Sequence, residues 1–315
     1  MATARQWIAG ARPRTLSAAV SPIAVGGGVA YWEGTHLGSL EFATRIGLAL
    51  VVAVAMEIGV NFANDYSDGI RGTDDVRSGP VRLVGQNLAL PGAVKRAAWS
   101  AFVVACAAGI ALTLITQAWW LIAIGAAGVA AGWLYTGGPR PYGYAGLGEL
   151  IVFVFFGVAA VTATTYVCID RWSMLALILS LPVGLLACAL LVVNNLRDIE
   201  TDRPAGKVTL AVRLGDRRTR RMWESLIVAA FAIIAVVGVV GLIRPDLAPY
   251  AVLPALLSAP LAVGPLLSVQ RGASGRDLVQ VLGATGRLQL VFGLLLAAGL
   301  TASGLLNASP AGLGG

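Results

Sequence analysis

The stretch Asn61–Asp75, NFANDYSDGIRGTDD, packs four aspartates and two asparagines into fifteen positions, directly after a long and nearly unbroken apolar run. A second stretch, Asn194–Lys207, NNLRDIETDRPAGK, follows another apolar run in the same way. Asp65 and Asp198 stand 133 positions apart, each just beyond the end of a hydrocarbon-rich segment. The remainder of the chain reads as scaffolding that brings these two acidic ends together.

Working outward, the solvent of this chain is set by its composition. Only 12% of residues are charged and 57% are apolar, with a mean hydropathy of +0.78, whereas a soluble domain spends about 25% on charge. Apolar runs of roughly 20 residues suffice to cross a ~30 Å hydrocarbon core. Nine such runs occur, at 16–32, 42–62, 98–116, 118–135, 147–167, 172–193, 224–243, 248–269 and 286–306. The expected fold is therefore all-α: a polytopic protein of nine transmembrane helices in the lipid bilayer. One membrane-embedded domain is expected over 1–306, with inner cap loops over 64–97 and 195–223 and a flexible tail over 307–315. The first apolar run lacks a small-residue cleavage site and reads as retained.

Basic residues orient the chain, because Lys and Arg collect on the cytoplasmic side. With a cytoplasmic N-terminus, every Lys and Arg except Arg45, Arg171 and Arg244 falls on the inner side. Both acidic stretches then face the cytoplasm from a multi-pass protein of the cell membrane. The net charge of +7 is explained by this bias, so no nucleic acid partner is called for. The eight Trp all fall near the ends of apolar runs, as an interfacial belt requires. His36 is the only histidine and lies in a short outer loop, which removes histidine from general-base work. Cys106, Cys168 and Cys188 are too scattered for a disulfide framework or a metal cluster and read as buried, inert thiols.

The chemistry sits in the acidic ends. Asn61, Asn64, Asp65 and Asp68 recur at three- and four-residue spacing, as do Asn194, Asp198 and Asp202. On a helix each set shares a face, where like charges repel. A carboxylate inside a membrane also costs roughly 2.5–3.5 kcal/mol on insertion scales. Two such stacks at one boundary make sense when a hard divalent cation neutralises them. Oxygen ligands select magnesium before zinc, and magnesium takes one or two carboxylates and completes its shell with water and phosphate oxygens. Metal ligation is accordingly assigned to Asn61, Asp65, Asp68, Asp198 and Asp202, with two Mg2+ ions clamping a diphosphate. Lys207 is one of only two lysines, the other being Lys95, and reads as a phosphate contact. Arg71 and Arg197 lie within the motifs, and Arg140 lies in a Gly/Pro-rich break, Tyr135–Tyr142.

These blocks resemble the UbiA-type intramembrane aromatic prenyltransferases. That family carries Asn-Asp-x-x-Asp-x-x-x-Asp after its second helix and Asp-x-x-x-Asp after its sixth, matched by Asn64-Asp65-x-x-Asp68 and Asp198-x-x-x-Asp202. Arg12–Thr15, Gly79–Leu83, Tyr135–Pro139, Gly146–Glu149 and Gly206–Gly215 resemble most closely the menaquinone branch, which acts on 1,4-dihydroxy-2-naphthoate. The last motif aspartate would fall at Gly72, so Asp74 or Asp75 takes its place. The resemblance implies a bundle around a central cavity, roofed by the inner loops and holding a polyprenyl diphosphate and 1,4-dihydroxy-2-naphthoate. It implies Mg2+ on the acid motifs, with Asp65, Asp68, Asp198 and Asp202 as the catalytic set. Around the substrates stand Asn64, Arg71, Asp74, Tyr135, Arg140, Asn194, Lys207 and Arg14, the last with Arg140 to hold the acceptor's carboxylate. The expected reaction transfers the prenyl group with decarboxylation, giving a demethylmenaquinone.

Two other readings fit parts of the pattern. Another aromatic acceptor, such as 4-hydroxybenzoate, would use the same acid motifs. A secondary transporter would also show membrane-embedded acids and an echo between halves, but its acids lie near the bilayer midplane. Here only Glu57, within the second apolar run, favours that reading.

Overall fold

The computed structural model describes residues 2–72, 81–245 and 248–308. Asp74 and Asp75 therefore lie outside the described residues. The chain forms, in order, α1 (Ala4–Gly10), α2 (Ser17–Trp32), α3 (Ser39–Ile70), α4 (Pro91–Thr116), α5 (Trp120–Leu134) and α6 (Gly148–Val152). A π-helical turn, Phe153–Ala159, leads into α7 (Ala160–Ile169), followed by α8 (Met174–Arg197), α9 (Ile199–Asp202), α10 (Leu210–Leu214) and α11 (Asp216–Ile243). A 3-10 segment, Tyr250–Ser258, then meets α12 (Pro260–Gln270), and α13 (Gly275–Ala308) completes the bundle. No strand occurs among the described residues.

Each of the nine expected apolar runs falls on helix. Six helical stretches are long and apolar enough to cross a membrane, and the bent pair Tyr250–Ser258 and Pro260–Gln270 makes a seventh if it is one span. The two expected spans left over, α2 with 16 residues and α5 with 15, reach only about 24 and 22 Å at 1.5 Å per residue. Length alone thus supports six or seven crossings.

Local signals explain the breaks. Pro91 opens α4 at its first turn, where its missing N–H costs nothing. Gln117 ends α4 in the left-handed region, with φ 55°, and makes the tight turn to α5. Several helices outrun the expected apolar segments; α3 runs on to Ile70, so Asn64 through Asp68 are helical rather than part of the inner loop. Their polar side chains find tertiary partners, which lets the helix continue where composition alone suggests a break.

α8 is the axis of the bundle. Its apolar stretch is 72% buried, against 28–39% for the other five long spans. It packs on α11, α13 and the π-helical turn, while α13 returns to lie along α2 and α3 pairs with α4. The contact with the π-helical turn is close, because a Cβ on Gly157 would stand 2.6 Å from the Gly184 Cα, the use of small residues expected between membrane helices. Two placements differ from the sequence reading. Trp223 is fully buried within the main core cluster rather than interfacial. Cys106 is exposed, whereas Cys168 and Cys188 are buried.

Candidate active site

The two acidic ends meet. Lys207 Nζ lies 3.0 Å from Asp68 Oδ2, both side chains being buried, and the Lys207 amide donates to the Asp202 carbonyl at 2.9 Å. Gly206, with φ 71°, makes the turn that returns the chain to Asp202, a conformation glycine adopts without steric cost. Tyr144 completes the junction. Its hydroxyl donates to Asp68 Oδ1 at 2.8 Å, and its ring lies 5.3 Å from Lys207 Nζ and 5.5 Å from the Arg71 guanidinium.

The single acidic face expected on α3 divides into two stripes. Asn64 and Asp68 point to the Tyr135–Ala145 break: the Thr136 hydroxyl donates to Asn64 Oδ1 at 2.9 Å. Asn61 and Asp65 point to the N-terminal segment and the loop after 80. The Asp65 carboxylate accepts the Leu83 and Val84 amides at 2.7 and 3.1 Å, with Arg82 in electrostatic reach. Asn61 Nδ2 donates to the Ala11 carbonyl, to Thr15 and to Glu57. On the second stretch, Arg197 grips Asp198 through two bonds of 2.7 and 2.6 Å and donates to Asn194 Oδ1 at 3.0 Å.

Beside this junction lies a cavity of about 460 Å³. Its polar end carries Arg12, Glu57, Asn61, Asn64, Tyr135 and Asn194, and its long apolar wall includes Met56 and Phe155. Phe155 and Phe156 stand on the π-helical turn, a distortion that often accompanies functional sites. Ile110 of α4 and Ile122 of α5 line the cavity while being 53% and 49% exposed, so the chamber reaches the lipid-facing surface. Burial raises the pKa of the Tyr135 phenol, helped by the negative charges of Glu149, Asp68 and Asp202, and burial likewise raises that of Tyr142. Both rings stay neutral at working pH.

Of the residues expected at the site, Asn61, Asn64, Tyr135 and Asn194 line the cavity, and Asp68, Asp202 and Lys207 form the adjoining junction. Arg71 donates to the Thr136 and Gly138 carbonyls and so holds the Gly/Pro break rather than reaching into the cavity. Arg14 and Arg140 are exposed and line no part of it. Arg12 does instead, because its left-handed backbone, φ 55°, turns the chain just before the 3-10 turn Pro13–Thr15. Glu57, Arg12 and Tyr144 are the site residues that sequence reasoning missed. The arginine-rich Arg12–Thr15 block and the tyrosines of the break were the available signals.

Among the described residues, no three His, Cys, Asp or Glu side chains converge on one cation-sized point. Magnesium does not require this, since one or two carboxylates with phosphate oxygens satisfy it. Buried carboxylates with no histidine or thiol beside them are the hard donor set it selects. Asp68, paired with Lys207, and the buried Asp202, whose carbonyl takes the Lys207 amide, therefore fit a metal–diphosphate site by donor chemistry.

Comparison with known proteins follows the same line. The model of the UbiA prenyltransferase family matches residues 19–279. The chain is 49% identical over 300 residues to a 1,4-dihydroxy-2-naphthoate octaprenyltransferase of Mycobacterium tuberculosis strain H37Rv, covering 95% of this chain and 98% of that one. It is 37% identical over 243 residues to the protein of the same name from Escherichia coli K12, covering 75% and 77%. A solved structure of a UbiA homolog from Archaeoglobus fulgidus, described as bound to GPP and Mg2+, aligns with a TM-score of 0.56 at 17% identity, covering 93% of this chain and 99% of that one. That likeness concerns the fold. With acid-bearing helix ends joined at Lys207 and a family match across most of its length, the chain belongs to the UbiA prenyltransferase family.

Proposed function

We propose that this protein transfers a polyprenyl group from polyprenyl diphosphate to 1,4-dihydroxy-2-naphthoate, with loss of the acceptor's carboxyl group, in menaquinone biosynthesis. The names of the curated relatives support the acceptor. The observation that carries the chemistry is the buried Lys207–Asp68 junction, beside a largely apolar chamber.

The reaction breaks the allylic C–O bond, and the bonding electrons leave with the diphosphate. Asp68 and Asp202, with Asp65 and Asp198, would hold Mg2+, which would supply charge neutralisation to that leaving group. Lys207 adds a fixed cation beside it, worth more in a water-poor site than in bulk solvent. The apolar wall takes the isoprenoid tail and excludes water, which would otherwise capture the allylic cation. Tyr135 presents a neutral ring at the cavity's polar end, where its π face stabilises positive charge. The aromatic carbon of the acceptor then forms the new C–C bond, and the carboxyl carbon leaves as carbon dioxide.

In this reading the chain crosses the cell membrane nine times, with α2 and α5 as short spans and the N-terminus and active site on the cytoplasmic side. The distribution of Lys and Arg supports that orientation. The test supplies membranes containing the protein with a labelled polyprenyl diphosphate and either 1,4-dihydroxy-2-naphthoate or 4-hydroxybenzoate. A decarboxylated prenyl-naphthol that vanishes on chelation and returns with magnesium is the expected product. Prenylated hydroxybenzoate alone, or solute flux without diphosphate release, defeats the proposal.

A further inference from the structure

Glu57 sits in the body of α3, is 8% exposed, and lines the cavity. Neither acid motif includes it. The Thr15 hydroxyl donates to Glu57 Oε1 at 2.8 Å and Asn61 Nδ2 donates to the same oxygen at 3.3 Å. Oε2 receives no hydrogen bond among the described residues. Oε2 is not among the fully buried polar atoms and is open to the cavity that Glu57 lines. A carboxyl oxygen in so water-poor a place is costly without a donor, so it asks for a ligand that brings one. Arg12 lines the same cavity and its charge reaches Glu57. An accepting carboxyl oxygen and a guanidinium at one end of the cavity complement a small molecule that carries both a hydroxyl and a carboxylate.

Resting on the prenyl-transfer reading above, we propose that Glu57 is the acceptor-positioning residue, its Oε2 receiving a ring hydroxyl of an aromatic hydroxy acid. Thr15 and Asn61 fix the carboxylate's orientation through Oε1. Eleven residues of α3 separate Glu57 from Asp68, about 16 Å along the helix axis, so the acceptor lies below the Lys207–Asp68 junction. The allylic carbon of the donor then falls between the two. Binding of this kind selects hydroxyl-bearing rings, because a ring without the donor leaves the carboxylate unsatisfied.

Steady-state kinetics on the full-length protein in membranes tests this. Glu57→Leu should raise the acceptor KM by roughly tenfold or more and leave the polyprenyl diphosphate KM unchanged. Glu57→Gln, which keeps an acceptor oxygen, should restore most of the loss. An unchanged acceptor KM in Glu57→Leu, or an equal rise in both KM values, overturns the proposal. Should neither variant accumulate, the wild-type protein decides. Competitive inhibition by a hydroxynaphthoate should be at least about tenfold stronger than by its methyl ether, and equal inhibition overturns the assignment. A wild-type protein that prenylates no hydroxyaryl acid defeats the functional reading instead, so the two failures are distinct.

Discussion

Lys207 Nζ and Asp68 Oδ2 stand 3.0 Å apart across 139 positions of sequence, both side chains being buried. The pair ties the end of α3 to the segment after α8, and therefore joins the two acidic stretches at one end of the bundle. Deleting one partner of a buried ion pair costs about 3–5 kcal/mol, because the other charge is left uncompensated. Lys207→Ala is expected to lower prenyl transfer by roughly a hundredfold or more, a loss of at least about 2.7 kcal/mol. Lys95 is exposed and lies over the rings of Tyr66 and Trp133, so Lys95→Ala should stay within about threefold of wild type. Equal, small effects in the two variants would remove the phosphate role of Lys207.

Asp65 receives two backbone amides, from Leu83 and Val84. Asp65→Asn replaces one accepting oxygen by a donor and sets it against an amide N–H. Turnover should fall below detection, and protease cleavage near residues 81–90 should accelerate. Asp198→Asn weakens the pair of hydrogen bonds donated by Arg197 and should also abolish turnover with the protein still membrane-inserted. Near-normal activity in both variants would end the metal assignment.

Tyr135 is assigned a ring, not an acid. Tyr135→Phe should keep most of the activity, whereas Tyr135→Leu should lose about tenfold. Burial keeps the Tyr135 and Tyr142 phenols protonated, so neither contributes a step to the pH–rate profile at neutral pH. The raised pKa values also fix a sign. Above about pH 10 the unfolded chain loses phenolic protons that the folded chain retains, so stability falls as pH rises. A Tyr135→Phe variant should show a shallower alkaline loss.

His36 lies in the loop between α2 and α3, while Arg203 and Arg271 lie at the opposite end of the bundle, and all three are exposed. In intact cells an impermeant maleimide should label His36→Cys, and should reach Arg203→Cys and Arg271→Cys only after permeabilisation. The reverse pattern would invert the topology.

Much of this is legible in the sequence alone. Runs of hydrocarbon length announce membrane helices, because backbone groups in lipid must be satisfied within their own segment. The acidic spacing and the rarity of lysine pointed to Asp68, Asp202 and Lys207. Arg14 and Arg12 belong to one block, and nothing in the spelling reveals the left-handed residue that separates an exposed side chain from a cavity-lining one. Glu57 read as a transporter-like acid because depth in a helix shows without its partners. Trp223 read as interfacial because nearness to a helix end says nothing of what packs against it.

By itself, the order of residues determined the all-helical class, the positions of the helices and the two acidic ends that matter. It could do so because helix formation and membrane partition are local, depending on periodicity and on hydropathy summed over about twenty residues. Only the tertiary structure decided which carboxylate faces which cation, that α3 continues through its own aspartates, and that Arg12 and Glu57 share one wall. Those outcomes depend on partners many tens of residues away, such as Thr15 for Glu57 and Lys207 for Asp68. A buried polar atom takes whichever donor the packing brings within about 3 Å of it.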